Sequence, residues 1–163
     1  MVHLYATPTY EKEHMARAVA VNLPISTKHS VEVCRSLRGK TLARAKAFLN
    51  QVIKMKEAVP MRRYHHELAH KTGVGPGRYP VKVSLEILRL LESAESNAQF
   101  KGLNTAHLVV DHICAHKAGK QWHYGRHRGR EMKRTIVEII VTEQAQEAKQ
   151  SKNPKESKQK KAK

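Results

Sequence analysis

Residues 115–134, AHKAGKQWHYGRHRGREMKR, form a basic, glycine-punctuated run between two alternating apolar segments, 103–115 and 135–142. The pattern predicts a long hairpin with a cationic tip. Such a ribbon has little apolar surface to fold around, and two strands alone are marginal in water, so its distal half needs a partner. With Arg126, Arg128, Arg130, Lys133 and Arg134 near the tip, the expected partner is polyanionic.

Composition agrees. The 163 residues carry 31 Lys and Arg against 14 acidic residues, a formal charge of +17, far more than solubility requires, and nucleic acid is the first partner this suggests. Aromatic residues are only 5%, so part of the chain is expected to be extended or disordered rather than packed. No apolar run approaches the roughly 18 residues of a membrane span, and the first residues lack the apolar core of a signal peptide, which predicts an intracellular chain. Cys34 and Cys114 are few and far apart, which suits reduced thiols better than a disulfide framework or a zinc cluster.

Working outward from the hairpin, alternation from Met15 to Leu23 predicts a strand, with Met15, Val19, Val21 and Leu23 on one side and Ala16, Ala18 and Ala20 on the other. Ser26 is a candidate N-cap, and Val31, Cys34 and Leu37 before Gly39 predict a helix from about Thr27 to Arg38. Thr41 can cap a second helix with the stripe Leu42, Ala45, Leu49, Val52 and Ile53, stopped by Pro60. Residues 61–79 show no sustained period and are expected to form an ordered surface excursion. Pro80 can start a third helix whose apolar positions Val81, Leu85, Leu88, Leu91, Ala94 and Ala98 suit burial, with Gly102 marking its end. After Glu143 the chain becomes QAQEAKQSKNPKESKQKKAK, with seven Lys and no Val, Ile, Leu or aromatic residue, a composition expected to stay disordered unless bound. The prediction is an α+β fold: a two-layer β-α-α-α-β-β domain over residues 1–143, with a long protruding β-hairpin at about 103–142 and a Lys-rich tail at 144–163.

Two motifs invite catalytic or metal readings. His66-Glu67-Leu68-Ala69-His70 matches HExxH, which on a helix presents two imidazoles to zinc and a carboxylate to water. Gly73 extends the longer metalloprotease pattern, but Pro76 stands where the third His would be, and the neighbouring Arg62, Arg63 and Lys71 oppose a cation. His107, His112, Cys114 and His116 form a second set, of which strand alternation places the last three on one face. Same-face residues point in parallel and rarely converge on one ion without a ligand from elsewhere, so these histidines are expected to pack or to meet phosphates. No catalytic residue, metal or cofactor is predicted. The glycine-rich run 71–78 lacks the Gly-Lys-Ser/Thr ending of a nucleotide cradle, whereas its glycines, Lys71 and Arg78 suit a polynucleotide backbone. Trp122 and Tyr124, interleaved with cations, suit stacking on unpaired bases, although Trp122 could instead clamp the hairpin across its strands.

Ser36-Leu37-Arg38-Gly39-Lys40, Arg62-Arg63-Tyr64, Gly77-Arg78-Tyr79-Pro80-Val81-Lys82, Asn97-Ala98 with Lys101-Gly102-Leu103, and Arg126-His127-Arg128-Gly129-Arg130 stand in an order and spacing that resemble ribosomal large-subunit protein twenty-two of the archaeal and eukaryotic kind. The likeness runs from about Ala18 to Glu143. It implies a domain seated on large-subunit rRNA at the mouth of the peptide exit tunnel, with the hairpin lining the tunnel wall, and a structural and assembly role without catalysis. It further implies that Arg126, Arg128, Gly129 and Arg130 meet RNA near the constriction and that Arg62, Arg63, Arg78 and Lys82 anchor the globular part. Arg38, Lys40, Lys71, Lys120, Trp122, Lys133 and Arg134 complete the expected RNA-binding set. Neighbouring ribosomal proteins and the nascent polypeptide are the other expected partners, on the cytoplasmic ribosome, with no membrane and no homo-oligomer. Two departures stand out: Ser26-Thr27-Lys28-His29 lacks the family's Ser-Pro, and His127 and Glu131 replace alanines of the tip. The alternative is an extraribosomal RNA-binding protein or RNA chaperone, which would use the same charge without needing the hairpin.

Overall fold

Helix and strand ends fall where local chemistry puts them. The computed structural model describes residues 3–7 and 10–144. In chain order they form β1 (Met15–Leu23), α1 (Thr27–Leu37), α2 (Leu42–Ile53), β2 (Val59–Pro60), β3 (His70–Lys71), β4 (Gly75–Arg78), α3 (Val81–Phe100), β5 (Leu108–Lys117) and β6 (Thr135–Glu143). The lysine-rich tail from residue 145 onward lies outside the described residues.

The main sheet is antiparallel with strand order β1-β6-β5, so β6 is central and the first strand joins the hairpin through it. On β1 the alanine side faces the core: Ala16 and Ala18 are buried, while Val21 is exposed. Small side chains there let α3 lie close to the strand, and Asn97 of α3 donates its side-chain amide to the Arg17 carbonyl at 2.9 Å. From β5 and β6, Val110, Ile113, Val137, Ile139 and Val141 complete the sheet's contribution to the core, against Val33, Leu37, Ile87 and Leu91 of the helices. This is the two-layer α+β arrangement that the pattern predicts.

Thr41 accepts a hydrogen bond from the Arg44 N–H at 3.4 Å and caps α2 as expected. Ser26 holds the N-cap position of α1, but its side chain makes no cap bond. Gly39 takes φ +75°, the left-handed conformation that turns the chain out of α1. The turn it makes has a second use. Gly39 N–H donates to the Val110 carbonyl at 2.8 Å and Val110 N–H to the Lys40 carbonyl at 2.9 Å, so the α1–α2 connection covers part of the otherwise open edge of β5.

Two expectations need correction. Residues 61–79 are ordered, but with β2 they build a second three-stranded antiparallel sheet of order β2-β4-β3. Its strands are two to four residues long and contain Gly and Pro, too short for any period to show in sequence. The buried stripe of α3 departs from the predicted one in its first half only: Leu91, Ala94 and Ala98 are buried as expected, but ahead of them Val83, Ser84, Ile87 and Leu90 are buried and Leu85 is 40% exposed. The first half of that helix carries apolar residues on more than one face, so periodicity alone could not choose between them.

Gly77, in the centre of the small sheet, is required for close approach. A Cβ there would stand 3.3 Å from the Ala58 Cβ, 3.3 Å from the Lys71 Cγ and 3.4 Å from the Val59 carbonyl oxygen. Gly77→Val should therefore lower stability by about 1–3 kcal/mol through overpacking. A urea midpoint equal to that of the parent chain would contradict this.

Candidate nucleic-acid interface

Beyond the last ladder pair, Lys117 with Thr135, the two arms of the ribbon remain joined by backbone bonds. Ala118 N–H donates to the Arg134 carbonyl at 3.1 Å, Met132 N–H to Gln121 at 2.7 Å and His123 N–H to Arg130 at 2.9 Å. Gly125, at φ +63°, opens the turn that carries Arg126 and His127. Every residue from 119 to 131 is exposed. Trp122 bridges Glu131 through the backbone while its side chain remains 63% exposed, which leaves the indole face available for stacking.

The cations near the tip divide into two groups. Lys120 pairs with Glu131, and the Arg134 guanidinium donates to the Gln121 side-chain oxygen at 3.3 Å, so both hold the ribbon together. Arg126, Arg128, Arg130 and Lys133 have no carboxylate partner among the described residues. Gly129 sits among them with open space where a Cβ would be. Three exposed guanidiniums on a narrow ribbon repel one another, and that repulsion favours a phosphate-rich partner.

A second basic surface is organised by a residue that the sequence reading missed. Glu32 of α1 is buried, and its carboxylate accepts backbone N–H groups from Arg62 at 3.2 Å, Arg63 at 2.7 Å and Tyr64 at 2.8 Å. With the backbone held from inside, the Arg62 and Arg63 side chains remain exposed. Arg63 lies over the Tyr64 ring at 5.4 Å, and Lys71 over the Tyr79 ring at 5.8 Å. Arg78 and Lys82 are exposed at the end of β4 and the start of α3. A glutamate among the helix-one residues Val31, Glu32 and Val33 gives no local signal of this role.

Two members of the expected set have work inside the fold. The Arg38 guanidinium donates to the Ile113 carbonyl at 3.0 Å, and the Lys40 ammonium lies 3.9 Å from the centre of the Phe48 ring, where burial lowers its pKa. The Ser36–Lys40 motif therefore locks helix one to the edge of β5.

The HExxH run is not helical: residues 66–67 lie in a turn, the chain bends at Leu68, and His70 begins β3. His66 and His70 thus lack the shared helix face that zinc proteases need. Glu67 is exposed, and a hydrogen bond from its own backbone N–H, reinforced by His65 and His66, holds its carboxyl below the ordinary value. Both cysteines are free.

On the outer face of the main sheet the chain places a different cluster. Glu138 of β6 is fully buried, and its carboxylate accepts from His112 at 2.9 Å, His116 at 3.3 Å, His3 at 3.2 Å and the Ala6 N–H at 3.1 Å. Residues 3–7 cross this face and are pinned there by Thr7, whose hydroxyl meets His112 Nδ1 at 2.7 Å, and by Tyr5, stacked with the Arg17 guanidinium at 4.9 Å. Burial alone would raise the Glu138 pKa, but the bonds from His112, His3, Ala6 and His116 together hold it below the ordinary value. A carboxylate with a depressed folded pKa contributes stability above its unfolded value, roughly 4.3, and loses that contribution as pH falls through the folded value. Glu138→Gln should therefore cost about 2 kcal/mol near neutral pH, and the gap to the parent chain should shrink below about pH 4. Urea midpoints between pH 7 and 3 check this; a gap independent of pH would refute it.

Among the described residues, no helix is long and apolar enough to cross a membrane. A family model described as Ribosomal protein L22p/L17e matches residues 18–142. Similar proteins include the large ribosomal subunit protein uL22 of Ignicoccus hospitalis, 43% identical over 152 residues that cover 85% of this chain and 96% of the relative. That of Methanoculleus marisnigri is 41% identical over 145 residues, covering 84% and 95%, and that of Thermoplasma acidophilum is 46% identical over 134 residues, covering 78% and 88%. The matched span takes in most of the main sheet, the whole small sheet, all three helices and the basic ribbon, so this chain belongs to the L22p/L17e family of ribosomal proteins and is a structural, non-enzymatic component of the large subunit.

Proposed function

We propose that the chain binds large-subunit rRNA on the cytoplasmic ribosome through two basic surfaces. The loop and small sheet carrying Arg62, Arg63, Lys71, Arg78 and Lys82 anchor the globular part, and the ribbon carrying Trp122, Arg126, Arg128, Gly129, Arg130 and Lys133 reaches into the RNA to form part of the exit-tunnel wall. The observation that carries this reading is the fully exposed run 119–131, whose arginines have no carboxylate partner among the described residues. A solvated ribbon of that charge is poorly stabilised by its own contacts, and RNA phosphates supply what it lacks. Once seated, the tip meets the nascent polypeptide, neighbouring ribosomal proteins flank the domain, and the chain acts as a single copy that supports rRNA folding.

A sucrose-gradient profile of lysate containing the tagged chain, followed by a high-salt wash, tests this. Retention near one copy per large subunit is expected. Recovery at the top of the gradient would leave an extraribosomal RNA chaperone as the better reading.

A further inference from the structure

The two basic surfaces of the proposed RNA interface do not include the donors gathered on the outer face of β5 and β6. Register places Cys114 directly opposite Glu138, and strand alternation puts His112 and His116 on the same face. Parallel side chains on one strand rarely converge on an ion, but here the partner strand supplies the missing donor. The ligating atoms of Cys114, His116 and Glu138 all lie within 4.8 Å of one another.

Two atoms bound to zinc at about 2.0–2.1 Å and at the tetrahedral angle stand about 3.3 Å apart. The Glu138 Oε1 distances to His112 Nε2 and His116 Nε2 are 2.9 and 3.3 Å. The spacing that now serves hydrogen bonds is therefore close to that of a coordination shell in which one cation replaces the bridging protons.

We propose that this face binds one zinc-class divalent cation through Cys114 Sγ, His116 Nε2 and the Glu138 carboxylate, with His112 Nε2, 2.9 Å from Glu138 Oε1 but outside that three-donor group, turning in as the fourth ligand. The donor set mixes thiolate, imidazole and carboxylate, which selects zinc or a neighbouring transition metal over magnesium or calcium. Thiolate and carboxylate together cancel the ion's two charges locally, and because Glu138 is already ionised and only the thiol gives up a proton, binding raises the chain's charge of +17 by one. On binding, the Cys114 thiol releases its proton, and His112 and His116 coordinate through Nε2 with the proton on Nδ1. For His112 an outer-shell partner is in place: Nδ1 lies 2.7 Å from the Thr7 hydroxyl, which holds the ring and, able to donate or accept, takes the Nδ1 proton's bond once Nε2 is on the ion. His3, 3.2 Å from Glu138 Oε2, orients the carboxylate. The His116 side chain is 42% exposed, which gives the ion a route in, while Glu138 is buried. The ion would fasten β5 to β6 at the root of the ribbon, beneath residues 3–7.

The test is titration of the purified, reduced full chain with zinc alone, followed by calorimetry, metal analysis after desalting, and cobalt absorption spectra. One equivalent should be retained, with a thiolate-to-cobalt charge-transfer band. Cys114→Ser keeps the Glu138 hydrogen bonds and should fold normally by circular dichroism, yet lose the band and weaken binding more than about 100-fold; Thr7→Val should weaken it roughly 10–100-fold, as loss of an outer-shell partner does. The double variant His66→Ala, His70→Ala should bind as the parent does. Failure of the parent chain to retain zinc, equal retention by Cys114→Ser, or loss of zinc in the His66 and His70 variant would each overturn the assignment.

Discussion

Glu32→Ala should lower the stability of the free chain by about 3 kcal/mol, because it removes the buried carboxylate on which three part-buried backbone donors converge. The Arg62, Arg63 and Tyr64 N–H groups have their acceptors on that one carboxylate, at 2.7 to 3.2 Å. Bonds to an ionised acceptor are worth more than neutral ones, and an N–H left without a partner adds its desolvation cost. Some of the loss returns where water reaches the loop, which is why the sum of three full penalties is not expected. Glu32→Gln retains one acceptor oxygen and should cost roughly half as much. Urea midpoints measure the global effect. Amide exchange resolves the local one: Arg62, Arg63 and Tyr64 should lose protection while Ile139 in the central strand changes only as far as global stability does. RNA affinity of Glu32→Ala should fall although no cation has been removed, since Arg62 and Arg63 would no longer be held in register. Unchanged exchange at these three amides would show that the loop is organised by something other than Glu32.

That glutamate marks where sequence legibility ends. Elements whose ends are set by neighbours in the chain were readable: Thr41 and Gly39 bracket the α1–α2 turn, alternation locates β1 from Met15 to Leu23, and Gly102, at φ +78°, closes α3 as its position suggests. Of the two hairpin strands, β6 starts at Thr135 where its apolar run does, whereas β5 starts at Leu108, five residues into its run, because residues 105–107 form a 3-10 turn. Features set by distant pairing were not readable. Glu32 reads as one more charge in a helix, and only the return of residues 62–64 makes it an acceptor. Glu138 reads as a polar interruption in Thr135–Glu143, and only its register against Cys114 and the crossing of residues 3–7 make it the centre of a cluster. The small sheet depends on β2 meeting β4 across the excursion, with strands too short to leave a pattern. The RNA-binding set was legible as charge but not as geometry: Arg38, Lys40, Lys120 and Arg134 carry the same charge as Arg126, Arg128 and Arg130, yet each has a partner inside the fold.

The same division predicts which cations carry the RNA affinity. Replacing Arg126, Arg128 and Arg130 together by Ala should leave the fold almost untouched, because all three are exposed and unpaired among the described residues and such surface changes fall within about 0.5 kcal/mol. RNA binding should respond strongly. Each lost phosphate contact removes about 0.7–0.9 from the slope of log affinity against log salt, so the triple variant should lose roughly 2–3 in slope. Its disadvantage relative to the parent should then narrow about 30-fold between roughly 50 and 200 mM salt. Lys120→Ala, by contrast, removes a cation already paired with Glu131, and the slope should change little while the ribbon loosens. Trp122→Ala separates charge from stacking: if the indole meets an unpaired base, about 1–3 kcal/mol of affinity should go with no change in salt slope. In cells, the triple variant should accumulate in incomplete large subunits, because the globular surface still docks while the ribbon no longer holds its RNA. A salt slope identical to that of the parent would mean that the tip arginines face something other than phosphate, and the tunnel-wall reading would then lose its physical basis even if the domain still sedimented with the subunit.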